Sequence, residues 1–97
     1  MLNPIILEEL SDYLDKRIVS ADVQIGGVTY PVNIRRSILD GATIRKHIYL
    51  TEGPYGTVTR ARLLGAAGEM VAERTDPQEH TAEKGLLLEF KFAIQEV

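Results

Sequence analysis

The chain has 97 residues, which makes one small domain, 1–97, that buries only about 60–70% of its unfolded surface. It has no Cys, which excludes a disulfide framework, thiol chemistry and a Cys-ligated metal, and it has no run of about 18 apolar residues that would span a membrane. Net charge is −3, with the signs unevenly placed: −3 over residues 1–34, +4 over 35–68 and −4 over 69–97. Basic strands pairing with acidic ones inside a sheet would account for this, and so would two faces of opposite sign suited to docking. The start, MLNPIILEEL, lacks the basic opening of a secretory signal, so synthesis in the cytoplasm is expected.

Asn3 and Pro4 suit the N-cap and first position of a helix. Ile6, Leu7, Leu10, Tyr13, Leu14 and Ile18 then recur at helical spacing, and Lys16 and Arg17 close the last turn. An amphipathic helix over roughly 4–17 follows, with one apolar stripe to bury.

In VSADVQIGGVTYPVNI, Gly26-Gly27 signals a two-residue hairpin. Folding there pairs Ile25 with Val28, Val23 with Tyr30, Ala21 with Val32 and Val19 with Ile34. Pro31 lacks an N–H and predicts an edge strand or a bulge. Asp40-Gly41 marks another turn. A strand is expected over Thr43–Leu50, with Ile44, Ile48 and Leu50 on one side and Arg45, His47 and Tyr49 on the other. TEGPYG reads as a turn and TVTRARLL as a strand. EMVAER fits a short strand or a helical turn, and residues 75–85 fit a polar loop. Leu86, Leu88, Phe90, Phe92 and Ile94 share one face of a final strand, with Glu89, Lys91 and Gln95 on the other. The predicted class is α+β: an N-terminal helix packed on about six mostly antiparallel strands, sandwich-like, with a single mixed sheet as the alternative.

Chemistry is sparse. His47 and His80 have no partner at a metal-ligand spacing and read as solvated residues. No nucleophile elbow or phosphate loop occurs. A non-enzyme with no metal and no cofactor is expected.

The stretch LLGAAGEMVAER resembles the G-x-x-G loop of KH-type single-stranded nucleic-acid modules, which would make Gly65–Gly68 a phosphate cradle with Arg60 and Arg62 nearby. That reading needs a helix after the loop, and Glu69 supplies no cation there. The other reading makes it a hairpin turn. The same stretch, with EKG at 83–85 and the alternating LLLEFKFAIQEV, resembles phage and prophage tail proteins of the tail-collar or tail-fibre attachment type. Gly68, Met70, Ala72, Arg74, Lys84 and Gly85 fall on that pattern, and MLNPIILEELSDYL is similar to the start of such proteins. The resemblance implies a structural assembly protein, incorporated in a phage particle, that contacts copies of itself or neighbouring tail proteins. Arg35, Arg36, Arg45 and Arg60 are the expected contacts on the basic side, and Glu73, Asp76, Glu79 and Glu83 on the acidic side.

Overall fold

Two antiparallel sheets and one helix account for residues 3–94, the part of the chain that the computed structural model describes. The element order is α1 (Pro4–Arg17), β1 (Ser20–Ile25), β2 (Val28–Val32), β3 (Arg36–Asp40), β4 (Thr43–Leu50), β5 (Gly56–Leu64), β6 (Met70–Arg74), β7 (Gln78–His80) and β8 (Leu86–Ala93). The five-stranded sheet runs β2-β1-β5-β6, with β7 also paired to β5, and the three-stranded sheet runs β3-β4-β8. The fold is α+β, as the sequence predicts, with eight strands rather than six. Residues 36–40 form an outer strand, and the expected loop over 75–85 contains β7. Gln95, assigned above to the outer face of the last strand, lies outside the described residues.

The first hairpin turns at Gly26 and Gly27, both at positive φ, which is the conformation a twist-compatible two-residue turn demands. Its ladder pairs Ile25 with Val28, Val23 with Tyr30 and Ala21 with Val32, and ends there, so the expected Val19–Ile34 pair does not form. Val19 instead donates its N–H to the Leu64 carbonyl. Pro31 sits opposite Asp22 on the outermost strand, where its missing N–H removes nothing from the ladder. Gly85 is not at positive φ. A side chain there would collide with the Tyr49 hydroxyl, so close approach explains the glycine.

The core lies between the sheets. Ala21, Val23, Ile25, Val58, Ala61 and Leu63 from one sheet meet Ile48, Leu88 and Phe90 from the other. The β4–β8 register sets Ile44 opposite Phe92, Lys46 opposite Phe90 and Ile48 opposite Leu88, so all six share the inner face. Helix α1 crosses the part of this face built by β3 and β4.

Lys46 fixes how the helix lies. Its ammonium is almost fully buried and donates to the Asp15 carboxylate, to the Asp15 carbonyl at 3.3 Å and to Ser37 Oγ at 2.9 Å. All three of its hydrogens are thereby used. This turns Ser11, Leu14, Asp15 and Ile18 inward, and Ser11 and Ile18 are buried. The expected single buried stripe is therefore split. Ile6, Leu10 and Tyr13 remain exposed, because a rotation that buried them would draw Asp15 away from Lys46.

Candidate interaction surfaces

The expected contact residues fall into two groups. The outer face of the three-stranded sheet carries cross-strand rows of Arg36–His47–Glu89 and Ile38–Arg45–Lys91. Arg35 is exposed just before β3 and donates its N–H to the His47 carbonyl at 2.7 Å. His47 is half-buried rather than solvated, and its Nε2 meets Glu89 Oε2 at 2.7 Å. That hydrogen bond, helped by the His47, Arg45 and Lys91 charges, holds the Glu89 carboxyl below its usual range against the opposing effect of desolvation. Cations therefore dominate this face. Arg60 does not belong to it. It lies on the outer face of the five-stranded sheet, with Nη2 3.5 Å from Thr29 Oγ1.

The acidic group gathers along β6, β7 and the turn that follows. Glu73 is exposed and paired across from Arg62, whose guanidinium grips Asp22 at 2.8 and 2.5 Å. Glu79 accepts from Thr57 Oγ1 at 2.5 Å, and Glu83 is exposed in the turn closed between Thr81 and Lys84. Asp76 accepts from Arg74 at 3.0 and 2.6 Å and from the Gln78 amide at 3.0 Å. The Arg74 bond is the main reason its carboxyl falls from 3.8 to about 2. A depressed carboxyl stabilises the fold above its unfolded value, and that contribution is lost as pH falls from about 4 through about 2. In a carbon-detected NMR titration, Asp76 is expected to turn over near pH 2, and in Arg74→Met the midpoint should rise most of the way to 3.8. An unmoved midpoint would assign the shift to another cause.

The last strand also offers main chain. Ile94 donates to the Ala42 carbonyl, so the even-numbered residues of β8 bond inward to β4. Residues 87, 89, 91 and 93 then point their N–H and C=O groups away from the sheet. One of these is taken, since Arg74 Nη1 donates to the Glu89 carbonyl at 2.8 Å.

The Gly65–Gly68 loop is a hairpin turn. Gly65 donates to the Glu69 carbonyl at 2.9 Å and Gly68 to the Gly65 carbonyl at 3.0 Å. Strand β6 follows, where the cradle alternative needs a helix. The Ala67 N–H points to Glu69 Oε2 at 2.9 Å, and Arg17 lies 3.1 Å from the other carboxylate oxygen. The loop therefore holds an anion of its own. Of the two neighbouring arginines, Arg62 is committed to Asp22.

His80 corrects the sequence expectation most plainly. It is 1% exposed, tilted against Tyr55 with ring centroids 5.0 Å apart, and its Nδ1 meets the Pro54 carbonyl at 3.0 Å. The carbonyl can only accept, so Nδ1 carries the proton, and Nε2 is buried with no partner. No sequence signal marks this residue, because polar neighbours surround it in the chain. Among the described residues, no group of three or more His, Asp or Glu side chains could hold a metal ion. No helix among the described residues is long and apolar enough to cross a membrane. Compared with protein-family models, curated proteins and solved structures, the chain matches none.

Proposed function

We propose that this chain is a non-catalytic assembly protein of a phage tail or prophage element, acting through contacts with copies of itself or with neighbouring tail proteins. The observation that carries the reading is the separation of charge. Arg35, Arg36, Arg45 and Lys91 lie at the outer face of one sheet, while Glu73, Asp76, Glu79 and Glu83 lie along the β6–β7 margin of the other. Faces of opposite sign steer encounter and fix orientation, and the open main chain of β8 adds a means of pairing. The resemblance of residues 1–14 and 57–97 to tail proteins of the tail-collar or tail-fibre attachment type supplies the biological setting.

The test is association with the products of adjacent genes, measured by sedimentation at low and high salt. Binding should weaken with salt and fall at least about tenfold in Arg36→Glu/Arg45→Glu, since reversing charges at an interface costs upwards of about 1.4 kcal/mol. Absence of any complex at low salt would overturn the reading. A complex indifferent to both salt and the double variant would remove the charged face from it.

A further inference from the structure

Helix α1 leaves several of its apolar side chains exposed. Ile6 is 44% exposed, Leu10 44% and Tyr13 69%, and they stand at i, i+4 and i+7 along one flank. Val19, 55% exposed, and Ala66 in the β5–β6 turn lie beyond the helix end, around a groove also lined by Tyr13 and by the charged Glu9, Asp12, Lys16 and Arg17. Exposed apolar side chains on one flank, edged by charges, are the usual form of a protein contact.

The charges along the helix say what covers it. The first two turns carry Glu8 and Glu9, Asp12 follows, and the last turn carries Lys16 and Arg17. Such a strip is complementary to itself turned end for end. Two copies related by a two-fold axis near residue 12 would bring Leu10 of one within about one residue's rise, 1.5 Å, of Tyr13 of the other. Glu9 of each would then come within side-chain reach of Lys16 of its partner, with the helix dipoles opposed. A parallel arrangement would set acid against acid and base against base. Lys16 and Asp12 pair within the helix at 2.9 Å, but their side chains are 75% and 52% exposed and free to take part in a second contact.

We propose that this flank is the interface of an antiparallel homodimer of the chain in solution. It lies apart from the basic sheet face assigned above and does not depend on the tail reading. The apolar strip supplies the attraction, and the graded charge of the helix selects the orientation.

The test is sedimentation of the full chain from about 1 µM to 1 mM, the range in which contacts of modest size dissociate. The mass should rise from 10.8 kDa toward twice that value. Glu9→Lys and Lys16→Glu should each weaken the dimer at least about tenfold. Mixing these two variants in equal amounts should restore it, because each then meets the charge it lacks. Tyr13→Ser should abolish it, and far-UV circular dichroism should show all three variants folded. A chain that stays monomeric throughout overturns the dimer and leaves binding of a different tail protein as a separate question. A dimer unmoved by the charge variants, or a mixture that stays monomeric, overturns the antiparallel geometry. Unchanged dimerisation in Arg36→Glu/Arg45→Glu would keep this interface distinct from the charged face.

Discussion

Truncating Phe90 to Ala is expected to destabilise the fold by about 3–5 kcal/mol, the range found for large aromatic deletions in packed interiors. Phe90 is 4% exposed and stands in the cluster that joins the two sheets, opposite Lys46 on β4. The Arg74 guanidinium lies 5.9 Å from the centre of its ring while holding Asp76 and the Glu89 carbonyl. Removing the ring therefore leaves a cavity and takes away the surface on which Arg74 rests. Total stability for a chain of this length is about 5–15 kcal/mol, so the loss is a large share of it. Urea unfolding followed by circular dichroism should show a midpoint far below that of the parent, with Phe90→Leu falling between the two. A stability within about 0.5 kcal/mol of the parent would mean that the sheets do not meet at this ring.

Asp15→Ala should cost about 3 kcal/mol, near the lower end for breaking a buried ion pair from one side. The Asp15 side chain keeps 21% of its exposure, while that of Lys46 keeps only 4%, so the damage comes mainly from stranding the ammonium. Without the carboxylate, Lys46 retains only the Asp15 carbonyl and Ser37 Oγ. For a domain of this size the melting temperature would fall by roughly 12–24 °C. Removing both charges together, as Asp15→Leu/Lys46→Met, is expected to return stability close to the parent value, because no uncompensated charge remains. A double variant as unstable as Asp15→Ala would show that geometry, and not stranded charge, sets the cost.

The elements that depend on short-range chemistry were legible in the residues. The Asn3 cap bonds the Ile5 N–H at 2.8 Å, the Gly-Gly turn sets the register of the first hairpin, and Asp40-Gly41 joins β3 to β4. The alternation over 86–94 placed Phe90 and Phe92 on the core side. What could not be read depends on contacts between distant segments. Lys46 shares the parity of Ile44 and Ile48, which hinted at an inward lysine. Its partner Asp15, however, lies 31 residues earlier on another element. That unseen pair rotates the helix, so the exposed flank was hidden as well. His80 is buried because Pro54 and Tyr55 come to it from a separate loop. The expected contact residues were chosen by charge type alone, which grouped Arg60 with arginines that the fold sets on the other sheet.

Pro31 blunts one edge of the larger sheet. The hairpin turns its ring nitrogen outward on β2, so on that margin of the larger sheet Thr29 alone, of the two outward residues paired with β1, offers a main-chain donor. An incoming strand would find a broken ladder there and an open one along β8. Backbone sharing with another chain would thus be favoured at β8, the edge of the smaller sheet, over the β2 edge of the larger one, where the proline acts as a stop.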